Sequence, residues 1–142
     1  MSYVVDASVA VKWLVVEDDF ENAMALLRSR AELLAPRLIV SELANALWKK
    51  VRLGDLTPAI AIERLGLVGG YFSRIVDDVD MQATLDLAIQ LDHPAYDCIY
   101  IEVARTYGAA LITADKRLRR AANGLSGFTC FDLSEWSDSR TA

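Results

Sequence analysis

Five short runs of this chain are almost wholly apolar: residues 2–5, 33–35, 74–76, 109–113 and 128–131. A strand with one wet face alternates apolar and polar residues, whereas a strand that is apolar throughout is buried on both faces. Longer stretches with helical character lie between these runs, at residues 8–16, 18–29, 37–53, 57–68, 80–91, 94–107 and 115–122. Strands separated by helices build a parallel sheet covered on both faces. The expected fold is therefore α/β, a single domain with a short central parallel β-sheet and helices on both faces. The folded unit is expected to span 1–136, with 137–142 as a polar, loose tail.

Local signals agree with that division. Gly54 stops the long helix of residues 37–53. Thr57 is a good N-cap with Pro58 at the first helical position, and Gly69-Gly70 ends that helix. Asp80 caps the next one, on which Leu85, Ala88 and Ile89 share a face. Pro36, Pro58 and Pro94 all fall at helix entrances, where a missing N–H costs least.

Composition narrows the function. At 142 residues, 54% hydrophobic and 25% charged, the chain has the make-up of one globular domain. No apolar run approaches the roughly 20 residues that cross a bilayer. The N-terminus lacks a basic segment followed by a long apolar stretch, so no signal peptide and a cytoplasmic location are expected. Cys98 and Cys130 have no metal-type spacing and read as reduced, small hydrophobes, though a bridge between them stays open. The net charge of −5 argues against a broad basic surface for nucleic acid. It leaves room for phosphate contacts that run through bound cations, which reverse the sign of the local field.

Carboxylates hold the chemistry. In open parallel sheets, ligands bind beyond the carboxyl ends of the strands. Asp6 lies just beyond the first strand and Asp115 two residues beyond the strand of residues 109–113. If these strands are neighbours, both acids reach one rim. Either acid is also an ordinary helix N-cap. Glu42 has Leu38, Ile39, Asn45 and Ala46 three and four residues away, a mostly apolar face. A carboxylate there is desolvated unless paired or metal-bound, the alternative being a side chain that bends to solvent or pairs with Lys49. Asp97 opens a helix that is apolar on nearly all sides, where the helix dipole alone would favour it. Four carboxylates at one rim repel one another, and cations relieve the repulsion. Mg²⁺ or Mn²⁺ suits an all-oxygen site. His93 is the only histidine and no Cys/His spacing accompanies it, which argues against zinc.

Taken in order, these pieces resemble a known family. Asp6-Ala-Ser8, Glu42 with Asn45, Tyr96-Asp97 through Ala104, and Leu111-Ile112-Thr113-Ala114-Asp115 are similar to the four motifs of the PIN-domain family. The size and the opening Val4-Val5-Asp6-Ala7-Ser8-Val9-Ala10-Val11-Lys12 look like its VapC branch, the toxins of bacterial and archaeal toxin–antitoxin pairs. Some members carry another acid two residues past the fourth; here Arg117 stands there. The segment 57–79 carries no diagnostic motif.

The resemblance implies a divalent-metal-dependent endoribonuclease with Asp6, Glu42, Asp97 and Asp115 as catalytic acids. It makes Asp6 and Asp97 the direct Mg²⁺ or Mn²⁺ ligands, with Glu42 and Asp115 acting directly or through waters. Ser8 and Thr113 would be supporting hydroxyls, Ser8 being equally a helix N-cap, and Asn45 would orient a carboxylate. Lys12, Lys49, Lys116 and Arg117 would be candidates to meet an RNA backbone. A homodimer and a cognate antitoxin protein are the implied partners. Val9, Trp13 and Val16 on one helix, with Leu43, Leu47 and Val51 on another, are either core or a groove for a partner helix. Trp13 and Trp48 are expected to be the most exposed of the aromatic anchors. Competing readings are an RNase H-like carboxylate nuclease, whose first acid is followed by antiparallel hairpins, and a catalytically silent PIN-like interaction module. A phosphatase with an aspartyl nucleophile is disfavoured, because Ser8 stands where its second Asp belongs.

Overall fold

A computed structural model of the chain describes residues 1–138. The strands are β1 (Ser2–Val5), β2 (Glu32–Pro36), β3 (Arg74–Val76), β4 (Ala110–Thr113) and β5 (Cys130–Asp132). The helices are α1 (Ala7–Leu14), α2 (Phe20–Arg28), α3 (Leu38–Arg52), α4 (Pro58–Leu67), α5 (Met81–Leu91), α6 (Ala95–Tyr107) and α7 (Lys116–Ala122). Every strand pairing is parallel, and the order across the sheet is β3-β2-β1-β4-β5. This is the expected architecture, and it departs from the antiparallel hairpins of the RNase H-like alternative.

The strand order explains where a site can form. From β1 the chain steps outward to β2 and β3, then returns to the other side of β1 for β4 and β5. Right-handed crossovers put the helices of the outward steps on one face and those of the return on the other. Helices α1, α2, α3 and α4 accordingly pack among themselves, while α5 packs on α6, which lies along β1, β2 and β4. The reversal falls between β1 and β4, where a crevice opens at the strands' carboxyl ends. Val4, Val5, Leu111 and Ile112 beneath it are completely buried.

Several details differ from expectation. The Gly69-Gly70 pair does not end in coil but continues α4 as a 3-10 turn, Val68–Tyr71. Pro36 is the last residue of β2, with Arg37 between it and α3. The last strand starts at Cys130, two residues later than the apolar run suggests. Trp13 is buried, not exposed: its indole N–H donates to the Ala23 carbonyl at 2.8 Å, and its ring meets Tyr71 and Phe72. A tryptophan on a short helix is long enough to bridge to two neighbouring elements at once. Leu85 and Ile89 stand out from α5 at 55% and 72% exposure, while Thr84 and Leu87 face inward. Trp48 is half exposed, as expected. Trp136 is buried edge-on against Tyr3, so the chain is fastened to the sheet up to that residue. Of the tail expected at 137–142, residues 139–142 lie outside the described residues. No described helix is long and apolar enough to cross a membrane.

Candidate active site at the β1–β4 crevice

Asp6 follows β1 directly, and its backbone N–H bonds to the Ile112 carbonyl of the neighbouring strand. Its side chain is 5% exposed. The Ser8 hydroxyl donates to Oδ1 at 2.6 Å and the Thr113 hydroxyl to Oδ2 at 2.6 Å. The Val9 N–H also reaches Oδ1, which makes Asp6 the N-cap of α1. Ser8 is therefore not the N-cap that its position suggested. It lies in the first turn, where its oxygen accepts the Ala114 N–H at 2.9 Å and ties α1 to the end of β4. Burial pushes the pKa of Asp6 up to about 7, the nearby charge of Asp115 adds to the rise, and the three donors oppose it.

Asp115 is also a cap: its Oδ1 accepts the N–H groups of Arg117 and Leu118 at the start of α7. Its own N–H donates to the Thr113 hydroxyl oxygen at 3.0 Å. Thr113 thus gives its proton to one acid and receives one from the backbone of the other. Both strand-end acids cap the helix that follows while standing at the carboxyl ends of neighbouring strands.

Glu42 and Asp97 come from helices. Glu42 on α3 is partly buried and accepts a short hydrogen bond from the Tyr100 hydroxyl of α6, not an ion pair with Lys49. Burial raises its pKa, with Tyr100 opposing and the charge of Asp97 adding. Tyr100 is 1% exposed. Its own ionisation is suppressed by burial and by the charges of Glu42, Asp6 and Asp97, so three of the four acids converge on this phenol. Asp97, in the first turn of α6, accepts from His93 Nε2 at 2.7 Å through Oδ2.

Beside Glu42 runs a groove lined by Ser8, Asn45, Lys49 and Tyr96 among others. Asn45 is exposed on its wall and, among the described residues, makes no hydrogen bond to the acids. Lys49, Lys116 and Arg117 are exposed. Lys12 is buried and paired with Glu17 at 3.6 Å, so it is spent inside the fold. Cys98 and Cys130 are free, buried thiols raised by burial, Cys130 to about 12, which leaves both unreactive. Sequence reasoning missed Tyr100 and His93 as partners of the acids. Tyr100 follows Asp97 by three residues on α6 and shares its side of that helix, whereas His93 precedes Pro94, outside the helix, and reaches Asp97 from the turn.

Among the described residues, no three His, Cys, Asp or Glu side chains stand close enough to cage an ion by themselves. A hard cation such as Mg²⁺ needs only one or two carboxylates and keeps its waters. An all-oxygen set in which burial and mutual repulsion raise two acids gains from a positive charge, so these residues fit such an ion.

Parallel topology, crevice and acids together define an α/β protein with a carboxylate cluster at a strand-order reversal. The PIN domain family model matches residues 3–124, and the chain belongs to that family. It is 30% identical over 124 residues to the exonuclease VapC9 of Pyrobaculum aerophilum, covering 87% of this chain and 88% of that one. It is 34% identical over 125 residues to the ribonuclease VapC3 of Mycobacterium tuberculosis, covering 83% and 85%. Among solved structures it resembles VapBC2 of Rickettsia felis bound to a DNA fragment from their promoter, with a TM-score of 0.67 over 96% of this chain and all of that one. At 16% identity, that last likeness speaks for the fold alone.

Proposed function

We propose that the chain is a divalent-metal-dependent endoribonuclease, using Mg²⁺ or Mn²⁺, and the toxin of a toxin–antitoxin pair in the cytoplasm. The observation that carries the reading is Asp6. It is a buried carboxyl, pushed up to about 7 yet wrapped by three donors that favour its ionised form. An acid held ready in that way awaits a cation. VapC relatives named as ribonuclease and exonuclease support the substrate class.

In this reading Asp6 and Asp97 hold the metal, and Glu42 and Asp115 act on it directly or through waters. The ion, when bound, supplies Lewis acidity toward a phosphodiester and lowers the pKa of water. The protein's own residues do the positioning. Ser8 and Thr113 fix both oxygens of Asp6, so its orientation does not change as the charge changes. Glu42, raised by burial and by Asp97, is a stronger base than an exposed carboxylate and is suited to take a proton from an attacking water. Lys49, Lys116 and Arg117 at the rim are placed to meet the phosphate backbone. The functional unit is residues 1–136.

Two surfaces support the proposed partners. Leu47, Trp48, Val51, Ala61, Ile62 and Leu65 line an apolar groove between α3 and α4, suited to the apolar face of an antitoxin helix. Met81, Leu85 and Ile89 form an exposed stripe at four-residue spacing along α5, suited to a second copy of the chain. Purified protein with Mg²⁺ or Mn²⁺ should cut single-stranded RNA, including closed circular RNA, and chelator should stop it. A metal-stimulated activity that spares circles but degrades free ends would replace the endonuclease with an exonuclease. Cleavage unaffected by chelator would remove the reading.

A further inference from the structure

The four acids differ in what holds them. Asp6 has two hydroxyls and a backbone N–H; Asp115 has two backbone N–H groups; Glu42 has the Tyr100 phenol. Among the described residues, Asp97 has a single hydrogen-bond donor, His93, and no backbone N–H at the start of α6 donates to its carboxylate. His93 itself is well anchored. Its backbone N–H donates to the Ala88 carbonyl at 3.1 Å, closing the end of α5 where Asp92 takes a left-handed conformation (φ 49°). Its side chain is 8% exposed, while that of Asp97 is 30% exposed. A buried ring on a fixed turn therefore reaches out to a partly exposed carboxylate in the first turn of α6.

We propose that His93 is the positioning residue of Asp97, holding Oδ2 and leaving Oδ1 free for the cation. The proposal rests on the reading of Asp97 as a metal ligand. Because a carboxylate only accepts, Nε2 must carry the proton in this contact, and a neutral imidazole is sufficient. Without that bond, Asp97 has free rotation about its side chain and must be ordered by the metal itself, which weakens binding. Loss of such an outer partner generally costs about 10–100-fold in metal affinity.

The test is Mn²⁺ binding to the full chain by calorimetry, with the melting temperature of each metal-free variant measured in parallel. The side-chain nitrogen of His93→Gln extends as far as Nε2, whereas that of His93→Asn extends only as far as Nδ1. Both variants are polar and of similar size. His93→Asn should weaken Mn²⁺ by about 10-fold or more, and His93→Gln should return most of that loss. His93→Leu should behave like His93→Asn where it folds. Equal Mn²⁺ affinity in wild type, His93→Gln and His93→Asn would overturn the positioning role. Equal losses in the Gln and Asn variants would overturn it too, since the ring would then be mere packing. Asp97→Asn separates the two levels: if it loses Mn²⁺ while the His93 variants do not, the site reading stands and the positioning falls. If Asp97→Asn keeps wild-type affinity, both fall.

Discussion

The two halves of the acid site are built by different means. Asp6 and Asp115 sit at the ends of adjacent parallel strands, and each caps the helix that follows. Their donors are backbone N–H groups and two hydroxyls that lie within a few residues of one acid or the other. Glu42 and Asp97 sit on helices from opposite sides of the chain's path, and each is held by one ring on or beside α6. The first half is a product of the sheet, and the second depends on how two helices dock. The strand-end half should therefore govern both stability and activity, whereas the helix-borne half should govern activity with little effect on folding.

The largest expected effect is that of Asp6→Asn. Activity should fall by at least about 100-fold, as when a group that stabilises transition-state charge is lost. Stability should move the other way. A buried acid whose folded pKa is raised from 3.8 to about 7 destabilises the fold once ionised. Its contribution is most favourable below about pH 4, declines as pH climbs toward 7, and levels off above that. Asp6→Asn removes this decline, so the metal-free variant should melt higher than wild type at pH 8 and not at pH 4. The stabilisation should reach a few kcal/mol, on the order of 1.4 kcal/mol per pH unit of the shift. A wild-type melting curve that is flat between pH 4 and 8 without metal, and unchanged by the substitution, would break the comparison at its strongest point. Mg²⁺ should erase the difference by stabilising wild type selectively.

The same contrast explains what could be read from the sequence. Strand-end acids announce themselves, because an apolar run followed at once by Asp is a local pattern; Asp6 and Asp115 were legible, as were all five strands and seven helices among the described residues. The helix boundaries followed from Thr57, Pro58, Gly54 and Asp80 because caps act over one turn. What escaped depends on contacts far apart in the chain. Glu42 and Tyr100 are 58 residues apart, and no local rule joins them. Trp13 looked like an anchor on an amphipathic helix, yet Tyr71 and Phe72 arrive from another part of the chain to cover it. Leu85 and Ile89 followed helical spacing, but the stripe lies on the side of α5 turned away from α6 and the core. Periodicity reveals that a helix has an apolar face, and only docking decides whether that face is filled within the chain.

Next in size is a paired substitution across the two halves, Thr113→Val against Tyr100→Phe. Each removes one hydroxyl that donates to an acid. Thr113 is completely buried, and its loss strands both an Asp6 oxygen and the Asp115 N–H. Thr113→Val should therefore cost about 1–3 kcal/mol in the presence of metal, measured by denaturant unfolding. Tyr100→Phe frees only Glu42, which is partly open to water, and should cost about 1 kcal/mol or less. In both variants a bond that favours the ionised acid is gone, so the acid's pKa rises further. The acidic limb of the pH–rate profile should shift to higher pH in each. Equal unfolding costs, or a limb that shifts to lower pH, would contradict the division of labour.

The smallest effect is expected at Asn45, and it sharpens the comparison from the helix-borne side. Asn45 stands three residues after Glu42 on α3, which suggests an amide that steadies the carboxylate. Its side chain instead faces the groove, exposed, while Tyr100 takes the Glu42 oxygen from the buried side. An amide in that place can meet a sugar or phosphate of a bound strand, and it makes no hydrogen bond to the acid, which Tyr100 holds. Asn45→Ala should then leave kcat, the melting temperature and the pH profile unchanged. Its cost should be confined to KM, at about three-fold to ten-fold, the equivalent of one modest neutral hydrogen bond. A drop in kcat with KM unchanged would instead mean that Asn45 swings inward when RNA binds. Glu42 would then have a second donor that only the occupied groove assembles, and the two halves of the site would be more alike than the free protein suggests.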